Sequence, residues 1–190
     1  MFALLALLTS LPSANAGGIG LFTQAGIHQD FAYYYNIYND QGIDSQFLPH
    51  YGVGFEGILG DKDDRLKGIF RISWNQDQPL SNPEVPTDQD YFFADMSTKE
   101  PRNDGIIAIG LQWGIWGEPT KFEVIATTLL SSGFWTVDSL EYFVVDAGIG
   151  ATFSPQDNLQ FFGVASFSPR YRKQIALGGQ ATLGARVIFD

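Results

Sequence analysis

The side chains of this chain best placed to do chemistry are two histidines and six charged residues. His28 and His50 are the only histidines. They flank one long connection, Asp30 to Pro49, so the fold can bring the two imidazoles together. With Asp30 they could share a metal ion or serve as an acid–base pair. The plainer reading is two rim histidines in hydrated loops, because a Ser/His/acid geometry cannot be read from spacing. Neither a Gly-x-Ser-x-Gly elbow nor a His-Glu-x-x-His pair occurs. There is no cysteine, so neither a disulfide framework nor a thiolate metal site is available. Asp61-Lys62-Asp63-Asp64 offers carboxylates but lacks the other ligands of a calcium loop, and as a tight polar turn it is already explained. The expectation is no catalytic residue, no metal and no cofactor.

The six charges are Glu56, Lys67, Arg71, Glu123, Asp146 and Arg186. They are positioned by segments in which side chains alternate with period two, the signature of a strand with two different faces. Eight such segments are predicted: Gly18 to about Phe31, His50–Leu59, Arg65–Trp74, Gly105–Trp116, Lys121–Leu130, Leu140–Phe153, Leu159–Phe167 and Gly178–Phe189. Each is close to the ~9–11 residues a tilted strand needs to cross a bilayer. One face is rich in Leu, Ile, Val and aromatics. The other carries Gly, Thr, Gln, Ser and the six charges. Three acids and three bases suit a narrow lumen, where buried charge has to be paired. A packed, hydrogen-bonded interior is expected, since eight strands leave room for side chains and little else. A small ion path is the alternative.

The connections alternate in length. Gly60-Asp61-Lys62-Asp63-Asp64, Gly117-Glu118-Pro119-Thr120 and Ser154-Pro155-Gln156-Asp157-Asn158 are short and built of turn residues. The others are longer: about twenty residues after the first strand, nearly thirty after the third, and about ten after the fifth and seventh. Aromatics gather near both strand ends. Trp113, Trp116, Phe122, Phe153 and Phe189 fall toward the short turns, and Tyr51, Trp74 and Trp135 toward the long loops. Two such belts match interfacial girdles.

The final strand adds a terminal signature: Thr182, Gly184, Val187 and Phe189, a polar residue, a glycine two later, then hydrophobics three and five beyond it. It resembles the C-terminal signal that bacterial outer-membrane β-barrels present to their insertion machinery, with the departure that Asp190 follows the aromatic. At the other end, the apolar run Phe2–Leu8 precedes Ala14-Asn15-Ala16, a small-x-small cleavage site. The expected organisation is a cleaved export signal over residues 1–16, read by the Sec pathway, and one domain over 17–190. Over essentially the whole mature chain the architecture resembles the small eight-stranded outer-membrane proteins typified by the OmpA membrane domain, OmpX and OmpW. The resemblance implies an all-β fold: a closed, antiparallel, up-and-down transmembrane barrel of eight strands.

That family likeness implies an integral outer-membrane protein that is not an enzyme and whose external loops serve surface interaction or envelope structure. Some barrels of this setting are lipid-modifying enzymes with a His and a Ser near the rim, which keeps His28 and His50 in view. Two other readings stand beside it: a narrow pore or carrier for small or hydrophobic solutes, and a secreted, lipocalin-like ligand carrier with its apolar face inward. The loops offer two candidate surfaces. Tyr33, Tyr34, Tyr35 and Tyr38 make a recognition cluster, or else their rings extend the first strand above the membrane and pack on one another. Arg170, Arg172 and Lys173 could hold lipopolysaccharide phosphates. Expected partners are outer-membrane lipid and lipopolysaccharide, the insertion machinery during biogenesis, and a protein partner reached through the loops. A formal net charge of −10 argues against nucleic acid.

Overall fold

The computed structural model describes residues 16–35, 41–77, 102–135, 140–171 and 175–189. They form β1 (Gly17–Tyr35), β2 (Gln41–Leu59), β3 (Leu66–Asp77), β4 (Arg102–Glu118), β5 (Phe122–Trp135), β6 (Leu140–Gln156), β7 (Leu159–Phe167), β8 (Arg170–Tyr171), β9 (Ile175–Ala176) and β10 (Gly178–Phe189). Eight of these are staves, in the order β5-β4-β3-β2-β1-β10-β7-β6, and the β5–β6 pairing closes the ring. Every stave pairs antiparallel with both neighbours, so no stave is left as a sheet edge. The two-residue β8 and β9 pair with each other above β7, and β8 continues the ladder of β6.

The register can be followed once around the barrel. From Gly17 it runs through Leu59, Gly68, Leu111, Thr128, Ala147, Phe167 and Gly179 and re-enters β1 at Ile27, ten residues from its start. An even offset is required, because a one-residue slip would put inward side chains on the outer face. An offset of this size goes with strands tilted by roughly 35–45°.

The two faces separate cleanly. Ile19, Leu21, Val53, Phe55, Ile72, Leu111, Ile149 and Leu183 are exposed on the outside, while Glu56, Lys67, Arg71, Glu123, Asp146 and Arg186 are buried inside. The six charges face the lumen, as the alternation predicts. A ring of exposed aromatics (Trp113, Trp116, Phe122, Phe153, Phe161, Phe189) borders the short turns, and a second (Phe47, Tyr51, Trp74, Phe143, Phe167, Tyr171) lies toward the opposite end. Trp116 joins the first ring through a bulge. The β4–β5 register slips between Gly114 and Trp116, which frees both Ile115 and Trp116 to face outward. Trp116 then meets Phe122 edge-on at 6.4 Å.

The turns are built as their composition demands. Gly60 and Gly117 take positive φ of 127° and 98° at the starts of the β2–β3 and β4–β5 turns, where a Cβ would strain the chain. Asp64 closes the first turn: its carboxylate accepts from the Asp61 amide at 3.0 Å, and its own amide donates to the Asp61 carbonyl at 3.0 Å. The Asp64 carboxylate therefore serves the turn.

One expectation is corrected. The connection after the first strand is not a twenty-residue loop. β1 continues to Tyr35 and β2 begins at Gln41, with Gln29 to Tyr35 paired against Phe47 to Gln41. Aromatic residues are strong strand formers, and here they carry the hairpin past the end of the β1–β10 ladder at His28. The fifth strand likewise runs past the predicted Leu130 to Trp135, while the sixth begins at Leu140 as expected. The proposed export signal, Tyr38, Arg172, Lys173 and Asp190 lie outside the described residues, apart from Ala16, whose carbonyl accepts from the Gly60 amide at 3.4 Å.

Candidate functional site in the barrel lumen

The lumen is filled in three tiers. Nearest the short turns, Lys67 and Glu123 point inward from β3 and β5. The Lys67 ammonium donates to the Lys62 carbonyl at 2.8 Å. Lys67, Arg65 and Arg186 lie within Coulombic reach of the Glu123 carboxylate, whose Oε1 has no hydrogen-bond partner among the described residues.

The middle tier is a charge cluster centred on Glu56. Its Oε2 accepts from Arg71 (Nε and Nη2, each at 2.6 Å), and its Oε1 accepts from Arg186 Nη1 at 2.7 Å. Arg186, 2 % exposed, is the largest fully buried side chain, and its remaining donors are used. Nε donates to Gln160 Oε1 at 2.7 Å, and Nη2 to Gln112 Oε1 at 3.0 Å and to Gln160. Gln160 is held in turn by the Pro119 carbonyl and the Ser154 hydroxyl. Full satisfaction of this kind makes buried charge tolerable.

Two inward phenylalanines complete the tier. The Arg71 guanidinium lies 5.1 Å from the Phe22 ring and 5.7 Å from that of Phe162, and Arg186 lies 5.1 Å from Phe162. Cation–π attraction adds to the ion pairs in this desolvated space. The rings fit because the neighbouring strands carry glycines beneath them. A Cβ on Gly54 would come within 2.5 Å of the Phe22 ring, and one on Gly184 within 2.4 Å of the Phe162 ring. Gly184, part of the terminal signature, thus has a packing role inside the barrel. Gly184→Ala is expected to cost about 1–3 kcal/mol through overpacking. Urea-midpoint measurements of barrels refolded in lipid vesicles would read it, and Phe162→Leu should recover part of the loss.

The upper tier is polar and mostly uncharged. Asp146 accepts from Ser131 at 3.1 Å, from Gln180 Nε2 at 3.1 Å and from Ser168. Gln24 donates to Asn75 at 2.7 Å. A cavity of about 30 Å³ lies between this tier and Arg71, bounded by Phe22, Ser131, Asp146, Ser168 and Gln180. It has room for about two waters, far short of the several hundred Å³ that a small organic ligand fills.

His28 and His50 are not rim residues in hydrated loops. Both are buried and face inward, with their Nδ1 atoms 3.5 Å apart. They keep the inward parity of β1 and β2, which the longer strands extend past the predicted loop boundary.

The six predicted charges thus fall into separate groups. Glu56, Arg71 and Arg186 come together. Asp146 binds hydroxyls and an amide a tier above. Lys67 and Glu123 lie below, and Lys67 donates to a turn carbonyl within electrostatic reach of Arg186. Phe22, Gln112, Gln160, Phe162 and Gln180 share the inward parity of their strands, but their partners emerge only once register is known. Of the loop candidates, Tyr33, Tyr34 and Tyr35 lie in the backbone of the β1 extension and Arg170 in β8.

No protein-family model and no curated protein matches the chain. Several solved structures are similar, among them the following three. A de novo designed transmembrane β-barrel shares 11 % identity over 91 % of this chain and 96 % of that one, with a TM-score of 0.40. Neisserial surface protein A (NspA) shares 13 % identity over 89 % of this chain and 97 % of its own, at 0.35. OmpT, an outer membrane protein of Vibrio cholerae, shares 7 % over 90 % of this chain at 0.27, and the match spans 52 % of OmpT. The physical case rests on the barrel itself. Its closed ladder leaves no stave as a sheet edge, its outer face carries an apolar band between two aromatic rings, and the six charges of its inner face are buried. A water-soluble carrier would invert those faces. The chain therefore has the closed, antiparallel eight-stranded fold of the small transmembrane β-barrels.

Proposed function

We propose that this protein is an integral outer-membrane barrel without enzymatic activity, an anchor that holds its β1–β2 hairpin and longer connections outside the cell for surface interaction. The observation that carries the reading is the closed cross-section: Glu56, Arg71, Arg186, Phe22 and Phe162 meet in the middle of the lumen, with Glu56 paired to both arginines and the rings against the guanidiniums. A lumen filled in this way suits a rigid mount better than a conduit. The outer membrane, reached through Sec export, is the setting that a closed barrel with a cleavable leader and an aromatic-ended last strand fits. That strand would be what the insertion machinery reads.

Two surfaces at the long-loop end carry the interaction. Arg170 in β8, with Arg172 and Lys173 next in sequence, offers cations suited to lipopolysaccharide phosphates. The Tyr33–Tyr35 stretch and Tyr38 supply aromatic area for a protein partner.

The test pairs conductance with topology. In planar bilayers the purified barrel is expected to give no discrete single-channel steps. On intact cells, added protease should cut the 78–101 connection and leave the staves as a resistant, heat-modifiable band. Regular current steps would favour the narrow pore instead. A changed lipid profile on replacing His28 and His50 would favour a lipid-modifying enzyme.

A further inference from the structure

The two histidines at the top of the lumen have a geometry that packing alone does not call for. His28 and His50 sit diagonally across the β1–β2 ladder, His28 opposite Leu48 and His50 opposite Gly26. Both are buried, and their rings are 5.5 Å apart and tilted by 48°. The hydrogen bonds around them assign the atoms. Asp146 accepts from Ser131 and Ser168, and also from the amide nitrogen of Gln180. That contact turns the Gln180 NH₂ toward Asp146 and its Oε1 toward His50, 3.3 Å from Nε2. An amide oxygen can only accept, so His50 carries its proton on Nε2 and turns the Nδ1 lone pair toward His28. His28 donates its Nδ1 proton to that lone pair at 3.5 Å, a proton that a bound cation would displace.

We infer that His28 and His50 form a binding site for a divalent first-row transition metal at the outer mouth of the lumen, with zinc as the test ion. Two imidazole nitrogens bound at about 2.0–2.1 Å to one tetrahedral ion stand about 3.3–3.5 Å apart, so the observed spacing fits, and turning the rings would exchange their hydrogen bond for two bonds to the ion. The Asp146–Gln180–His50 relay is the outer-shell pattern that fixes the tautomer of a metal-binding histidine. Among the described residues no group of three or more His, Cys, Asp or Glu side chains is gathered for a metal. With only these two donors among the described residues, the remaining positions on the ion would be taken by water or by an external donor. Imidazole selects zinc, nickel or copper over calcium and magnesium.

The experiment is a zinc titration, by calorimetry, of the full barrel folded in detergent without an affinity tag. One zinc per chain is expected. His28→Ala and His50→Ala should each weaken uptake by about tenfold or more, and Gln180→Leu by about 10–100-fold through loss of the tautomer lock. Excess calcium should not compete. Heat-modifiable gel migration checks that each variant is folded, and His28→Asn and His50→Asn replace any alanine variant that is not. Absence of uptake by the wild type overturns the site. So does uptake that persists unchanged in folded double variants, or that calcium abolishes.

Discussion

Glu56→Ala should destabilise the barrel by about 3–5 kcal/mol, the cost of stripping a buried ion pair of one partner. The reason is the position of Glu56 between two guanidiniums. Each of its carboxylate oxygens serves a different arginine, so one truncation leaves Arg71 and Arg186 facing each other, both under one-tenth exposed, with no anion between them. Gln160 and Gln112 would still accept from Arg186, but neutral oxygens do not offset a second cation. Glu56→Gln should cost less, because it keeps an acceptor for one arginine. The triple variant Glu56→Leu, Arg71→Met, Arg186→Met should regain most of the loss, since a buried ion cluster and an apolar filling of like volume are often near-equal in stability. Urea titration in lipid vesicles reads all three. A loss below about 1 kcal/mol for Glu56→Ala would show that water, rather than Arg71 and Arg186, satisfies this carboxylate.

The physics of alternation explains what was legible before the structure. A period of two assigns each strand residue to one of two faces, and that sufficed to put Glu56, Lys67, Arg71, Glu123, Asp146 and Arg186 inside together. Turn chemistry located Gly60 and Gly117 because a positive φ has few occupants. Three things needed more than pattern. Trp116 breaks parity, and only the bulge beside Gly114 turns it outward. The ends of β1 and β2 were invisible because tyrosines suit a strand above a membrane as well as a loop. His28 and His50 were consequently read as solvated although they keep the inward parity of Phe22 and Glu56. Pairing inside the lumen depends on shear, which a single strand does not encode. Glu56 and Arg186 lie 130 residues apart and meet across the β1 stave only because the barrel closes with its ten-residue offset.

Leu183→Arg is the sharpest test of what surrounds the barrel. Leu183 is 65 % exposed on β10, six residues from the aromatic Phe189. At about 3.3 Å per residue that is some 20 Å along a strand tilted by about 40°, or roughly 15 Å of height, half the thickness of a hydrocarbon core. An arginine at that depth should cost about 2–4 kcal/mol in vesicles. Leu66 is equally outward but lies at the short-turn end, where it pairs with Trp113. There Leu66→Arg should cost no more than about 1 kcal/mol. The depth dependence carries the argument, since a general intolerance of arginine would affect both sites alike. If water bathed the outer face, both substitutions would be close to neutral and would raise solubility without detergent. Equal, small effects at Leu183 and Leu66 would therefore remove the bilayer from this account, whereas a graded loss would fix Leu183 near its midplane.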